Sequence, residues 1–236
     1  MNPIEAFVSL LAPHICLICK KEGSPLCKLC AHTQLKPPDP LCYLCGLSSL
    51  KFNPCLACSL LSPVGRLYVA SSYEAASKDI VASLKFDRAK AAAEVIASWM
   101  HQTLPCLNEH TIVSPVPTAN KRVRKRGYDQ AGLIARRFAK KRGLKFMPTL
   151  RRTGSTRQVG ASRKDRFSQL ESSYIARNPK KLPGKCILLI DDVLTTGATM
   201  EAAARTLKNN GVASVDAAVF AYSKPKPKNS SNTRND

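Results

Sequence analysis

Hydrophobic and polar positions change their period repeatedly along the chain, and the changes mark alternating strands and helices. RLYVASSY (66–73) reads as a strand, and EAASKDIVASLKF (74–86) and RAKAAAEVIASWMHQTL (88–104) carry apolar residues at helical spacing. TIVSPVP (111–117) is a buried strand ending in a proline turn. YDQAGLIARRFAKKRG (128–143) is a basic helix closed by Gly143 as C-cap, and LKFMP (144–148) is a short strand. The arginine-rich irregular stretch from Leu150 to Leu170 is long for a connection, which predicts a functional or mobile loop. KCILLI (185–190) is a continuous apolar strand, MEAAARTLKNNG (200–211) a helix and ASVDAAVFAY (213–222) a strand. Strands alternating with helices predict an α/β fold with a doubly wound, mainly parallel sheet.

No such period exists before residue 60, where cysteine takes over. Eight cysteines form four CxxC pairs, Cys16/Cys19, Cys27/Cys30, Cys42/Cys45 and Cys55/Cys58. One CxxC turn aims two thiolates at a point, and two such turns complete the tetrahedral shell of a closed structural zinc site. Eight thiols therefore predict two zinc ions, paired either consecutively or in interleaved fashion. A disulfide framework is the alternative, and it belongs to exported chains. With thiolates enough to close both sites, His14 and His32 are expected bystanders. Cys106 and Cys186 lack a CxxC partner, and their apolar surroundings predict buried thiols. The expected organisation is a double zinc ribbon over 1–62, an α/β domain over 63–223 and a disordered basic tail over 224–236.

Composition narrows the setting. Lys+Arg 37 against Asp+Glu 16 leaves a net charge of +21 with 44% hydrophobic residues, which excludes a disordered chain and predicts a globular one with a cationic surface. The longest apolar run near the start, Ala6 to Ala12, follows Glu5 with no basic segment before it. Secretion and membrane insertion are not expected, and the cytoplasm is the expected location.

The most specific signal is CILLIDDVLTTGATM, at the carboxyl end of the apolar strand, where open α/β sheets bind ligands. Gly197 permits a tight turn, and the amides from Thr195 through Thr196 and Ala198 to Thr199 open the next helix, where the dipole favours an anion. Asp191 and Asp192 are placed to accept hydrogen bonds from sugar hydroxyls or to hold magnesium through its water. A phosphate on one side and a diol on the other fit a ribose 5-phosphate. A plain Asp-Asp metal site and an ordinary turn with a capping threonine are the alternatives; a Walker loop is excluded, since no GxxxxGK[ST] is present. A β-branched residue at 197 is expected to crowd the phosphate and resist the turn.

This segment resembles the signature of type I phosphoribosyltransferases. From about Cys16 to Tyr222 the chain resembles the ComF family, in which a double zinc ribbon precedes such a domain; VSPVP followed by RKRGYDQ, then TRQVGASRKDRFSQL, stand in the family's order. The family more often shows RGFNQ in place of RGYDQ and asparagine in place of Gln169. The resemblance implies a type I phosphoribosyltransferase fold, phosphoribosyl pyrophosphate with magnesium as ligand, and a role in DNA uptake during natural competence. It implies that Asp191 and Asp192 grip the ribose hydroxyls and that Thr195 to Thr199 hold the 5-phosphate. Lys121, Arg122 and Arg126 would face the pyrophosphate, and Arg152, Gln158, Arg163 and Arg166 would close over it. The acceptor is not given by the sequence.

Charge distribution carries a second hypothesis. From Lys121 to Arg166 there are seventeen Lys or Arg and two acidic residues, more than one phosphorylated sugar requires. Arg137 and Lys141, and likewise Arg136 and Lys140, lie one helical turn apart, opposite Ile134 and Phe138. Such a face, with aromatics such as Tyr128 and Phe167 nearby, suits single-stranded nucleic acid, so single-stranded DNA is an expected partner; the resemblance to the ComF family implies the competence machinery as a further one. The reading it supports is a non-catalytic DNA-binding adaptor that takes phosphoribosyl pyrophosphate as ligand or signal. The bland alternative is a solvated basic face.

Overall fold

The computed structural model describes residues 15–49, 52–84, 89–153 and 173–223; of Ala89, Lys121 and Arg122 only the backbone is described. Among the described residues, five strands form one parallel sheet: β1 (Leu67–Ser72), β2 (Ile112–Pro115), β3 (Lys145–Phe146), β6 (Cys186–Leu194) and β7 (Ser214–Tyr222), in the order β1-β7-β6-β2-β3. A separate antiparallel pair joins β4 (Leu150–Arg152) to β5 (Tyr174–Ala176). The described α-helices are α1 (Lys28–Gln34), α2 (Leu56–Ser59), α3 (Ala75–Ser83), α4 (Ala89–Thr103), α5 (Asn120–Arg126), α6 (Gln130–Arg142) and α7 (Ala198–Asn209).

The continuous apolar run of β6 covers both faces of the sheet, because successive side chains point to opposite sides. Leu188 and Ile190 join Val113, Ala218 and Phe220 beneath α3, α4 and α6, whose Ile80, Met100, Ile134 and Phe138 are fully buried. Ile187 and Leu189 join Ile112, Ala217 and Val219 on the other side, covered by α7 and by Leu150 and Tyr174 of the hairpin. Gly143 ends α6 in the left-handed conformation (φ 66°), as its position after the basic turn predicts.

The cysteine-rich segment is built twice over the same plan. Each half opens with a bridge just before its first cysteine, Ile15 to Glu22 and Leu41 to Ser48, and turns back through a left-handed residue, Lys20 (φ 63°) and Gly46 (φ 79°). Each then starts a short helix directly after its third cysteine, α1 and α2. The halves straddle the sheet: Leu17 and Leu35 of the first belong to the apolar cluster under α4 and α6, Tyr43 and Phe52 of the second to the cluster under α7. Both also hydrogen-bond the edge strand β1, whose Ser72 N donates to Lys36 O at 2.7 Å and whose Leu67 N donates to Asn53 Oδ1 at 3.1 Å. An exposed strand edge is thereby covered.

Three elements depart from the sequence expectation. α5 has no sequence signal, since NKRVRKR holds a single apolar residue and so no amphipathic period. The hairpin β4–β5 uses three-residue strands, too short to announce themselves. Cys106 and Cys186 are exposed, not buried: Cys186 is the first residue of β6, outside the part the helices cover, and Cys106 lies in the connection after α4. Gln158, Arg163, Arg166, Phe167, His14 and the tail lie outside the described residues. Among the described residues no helix is long and apolar enough to cross a membrane.

Candidate functional site

The strand order places the site. The connection leaving β2 runs through α6 to β3 on one side, and the connection leaving β6 runs through α7 to β7 on the other. Neighbouring strands whose crossovers diverge leave a crevice at their carboxyl ends, the place where open α/β sheets take ligands. The β6 side of that crevice ends in Asp191, Asp192 and the 195–199 turn; the β2 side leads into α5 with Lys121, Arg122 and Arg126.

Asp191 and Asp192 are half-buried. Each folds onto the backbone, Asp191 Oδ1 accepting from Asp192 N at 2.9 Å and Asp192 Oδ1 from Val193 N at 2.7 Å. Burial, then repulsion from Asp192 and Asp129, pushes the Asp191 carboxyl well above the usual carboxylate range. Burial also raises Asp192, against the pull of Arg126. Two crowded carboxyls held above their ordinary range suit a site that receives hydroxyl donors or a cation.

Arg126 donates to Gln130 Oε1 and stands close enough to Asp192 to stabilise its ionised form. Arg152, on β4, lies with its guanidinium 5.5 Å from the Tyr174 ring centre. Tyr174 is 3% exposed, its hydroxyl has no hydrogen-bond partner among the described residues, and burial pushes it up to about 12, with Arg152, Asp191 and Asp129 all acting on it. Tyr174 and Asp129, the side-chain cap of α6, are members of this neighbourhood that the sequence did not reveal.

In the turn, Thr195 and Thr196 are exposed, Gly197 is left-handed (φ 75°) and buried, and Ala198 and Thr199 open α7. The helix start has no side-chain cap from Gly197, and Thr196 Oγ1 lies a long 3.5 Å from Ala198 N. A helix start without a side-chain acceptor is the kind that can receive an anion. Gly197 itself differs from expectation: a Cβ there would meet the Tyr43 ring of the second ribbon, 2.9 Å from Cδ2 and 3.1 Å from Cε2. The obstacle to a side chain is protein.

The four nucleic-acid candidates on α6 are only partly free. Arg137 Nε and Lys141 Nζ reach Glu94 at 3.4 and 2.6 Å, and Arg136 stacks 4.6 Å over the Phe146 ring. Lys140 is exposed.

The thiols group consecutively. Cys16, Cys19, Cys27 and Cys30 form one cluster and Cys42, Cys45, Cys55 and Cys58 the other, with the sulfurs of each within 4.8 Å of one another. In each cluster the first thiol is opposed by burial but lowered to about 6 by backbone amides, of Cys27, Cys19 and Ile18 around Cys16 and of Cys55, Cys45 and Leu44 around Cys42. The last is raised to about 12, Cys30 by burial and its neighbouring thiols, Cys58 by Cys55 and burial. Four sulfurs so close cannot all ionise without a cation between them, and a sulfur-only tetrahedral set fits zinc in both places.

Fold and site together define a phosphoribosyltransferase-type α/β domain joined to two four-cysteine ribbons. The family model of the phosphoribosyl transferase domain matches residues 122–234. Competence protein F of Haemophilus influenzae is 31% identical over 103 residues, 42% of this chain and 45% of that protein. Competence protein ComFC of Streptococcus pneumoniae is 28% identical over 145 residues, 61% of this chain and 62% of that protein. The DNA utilization protein YhgH of Salmonella typhi is 30% identical over 172 residues, 69% of this chain and 74% of that protein. The chain belongs to the ComF family.

Proposed function

We propose that the chain binds phosphoribosyl pyrophosphate with magnesium in the crevice between β2 and β6, and that it serves the handling of DNA taken up in natural competence. The observation that carries the first half is the meeting, at one strand mouth, of a carboxyl pair and a helix start without a side-chain cap. The amides of 195–199 receive the 5-phosphate and Asp191 and Asp192 the ribose hydroxyls. Arg126, with Lys121 and Arg122 on the same helix, faces the pyrophosphate; Arg152 approaches from the hairpin, and Gln158, Arg163 and Arg166 belong to the segment that follows it. Magnesium bound with the ligand supplies neutralising charge on the phosphate oxygens.

Transfer breaks the bond from the anomeric carbon to the pyrophosphate oxygen and forms one to an acceptor, whose proton is released. Positive charge gathers on the sugar ring and negative charge on the leaving group, so the cations of α5 stabilise departure while the carboxyl pair steadies the ring. The names of the relatives support the DNA-handling half. A binding role without turnover is favoured by the excess of cations from Lys121 to Arg166, of which Lys140 is exposed on α6.

Calorimetric titration with phosphoribosyl pyrophosphate and magnesium, followed by a pyrophosphate-release screen over candidate acceptors, tests the reading. Saturable binding abolished by Asp191→Asn with Asp192→Asn is expected. Absence of binding at millimolar ligand refutes the sugar-phosphate site; binding without release supports the adaptor.

A further inference from the structure

We infer that Tyr43, in the second zinc ribbon, is a positioning residue for the phosphate turn, so that the Cys42/Cys45/Cys55/Cys58 cluster and the sugar-phosphate site are thermodynamically coupled. The inference rests on the phosphate reading of residues 195–199 given above.

Tyr43 holds the turn at two points. A Cβ on Gly197 would lie only 2.9 Å from the Tyr43 Cδ2 and 3.1 Å from its Cε2, so the ring packs against the glycine with no room for a side chain between them. Its hydroxyl donates to Glu201 Oε1, which also accepts from Ser62 Oγ at 2.7 Å. Glu201 is one turn further along α7, and its backbone N donates to Gly197 O at 2.9 Å. Ring and hydroxyl therefore fix both ends of the first helical turn, the one whose amides face the anion. Tyr43 is 4% exposed and Glu201 6%. A carboxylate that buried is costly unless its oxygens are satisfied, so this arrangement resists rearrangement.

Tyr43 is in turn fixed by the thiolate knuckle. It directly follows Cys42, which is fully buried, whose N donates to Leu47 O at 2.7 Å and whose O accepts from Gly46 N at 2.8 Å. A metal drawing Cys42 and Cys45 to one centre locks the backbone that carries Tyr43. The first ribbon provides an internal contrast. Its corresponding residue, Leu17, packs in the apolar cluster on the opposite face of the sheet, away from the turn among the described residues. Only one of two similar clusters reaches the ligand site.

Coupling is reciprocal: if metal at the second cluster improves phosphate binding, phosphate must tighten metal there by the same factor. The experiment uses the full zinc-loaded chain and ribose 5-phosphate without magnesium. Zinc affinity of each cluster is read by competition with a chromogenic chelator, and sugar-phosphate affinity by calorimetry. Saturating ribose 5-phosphate is expected to tighten the second cluster by about fivefold or more and leave the first unchanged. Tyr43→Leu should abolish that dependence and weaken ribose 5-phosphate by a similar factor at unchanged zinc content, while Tyr43→Phe, which keeps the ring and loses the hydroxyl link to Glu201, should lose only part of both. Should Tyr43→Leu fail to fold, Glu201→Gln reads the same link from the other side and should reduce it. Ligand binding with no change in zinc affinity at the second cluster overturns the coupling and spares the phosphate reading. A wild-type chain that binds no ribose 5-phosphate overturns the phosphate reading and this inference with it.

Discussion

Replacing Asp191 by asparagine is expected to move stability and ligand binding in opposite directions. Burial and the neighbouring Asp192 and Asp129 raise the Asp191 carboxyl well above its ordinary range, so the folded chain holds a proton there that the unfolded chain has lost. Stability then falls as pH rises from about 4, the ordinary carboxylate value, through the raised folded one. Asparagine never ionises and escapes that loss. Relieving such a clash is worth roughly 0.5–2 kcal/mol, which at about 2–4 °C per kcal/mol for a chain of this size raises Tm by roughly 1–8 °C at pH 8. The gain should vanish near pH 4, where the native carboxyl is already neutral. Binding moves the other way where the ligand draws Asp191 into its ionised form, because a hydrogen bond to a charged acceptor is worth about 1.5–3 kcal/mol, or roughly 10- to 150-fold in affinity for phosphoribosyl pyrophosphate. Thermal unfolding across pH 4–8, paired with calorimetry, reads both. A variant destabilised at pH 8, or one that binds as the wild type does, would refute the assignment of Asp191 as a strained ligand-facing carboxyl.

Elemental analysis of protein purified without chelator should give two zinc ions per chain, and Cys45→Ser should lower that toward one without touching the first cluster; a value near zero in the wild type would sink the thiolate-cage reading. Phe52→Ala should cost about 3–5 kcal/mol, because Phe52 is 5% exposed and packs 5.2 Å from the Tyr222 ring; a shift of Tm within error would mean that the second ribbon merely rests on the sheet. If single-stranded DNA is bound over about six phosphates, log affinity should fall with log salt at a slope near roughly −4, and Lys140→Gln should flatten it by less than one unit. Arg137→Gln with Lys141→Gln should in addition release Glu94 and lower stability slightly, so a salt slope untouched in the triple variant removes α6 from the interface.

What the sequence disclosed and what it hid divide along chain distance. Asp191, Asp192 and the 195–199 turn are consecutive, so the order of residues already places carboxyls and amides together at a strand end. The eight cysteines announced two metal sites, but whether neighbours or alternates pair depends on where the chain turns back, which spacing does not state. The buried expectation for Cys106 and Cys186 fails because apolar neighbours in sequence are not neighbours in space: the entry residue of a buried strand still faces solvent. The contact from Tyr43 to Glu201 spans 158 positions and had no local trace; an aromatic beside a CxxC cysteine was its one visible sign. The basic face of α6 was legible from helical spacing, yet its pairing with Glu94 required knowing that α4 lies alongside.

The placement of β1 has a consequence for the order in which the chain can assemble as it leaves the ribosome. Among the described residues β1 is the first strand to be made, and β7, with which it pairs in the sheet, is the last. Phe52 likewise waits for Tyr222, and Tyr43 for Gly197 and Glu201. The thiolate cages precede β1 and can load as soon as they emerge, but the apolar residues they present remain uncovered until β7 has been synthesised. Long-range pairings of this kind slow folding and leave surface open to aggregation in the meantime. Metal loaded early would hold the nascent ribbons in shape during that interval, with β7 acting as the keystone that closes the structure.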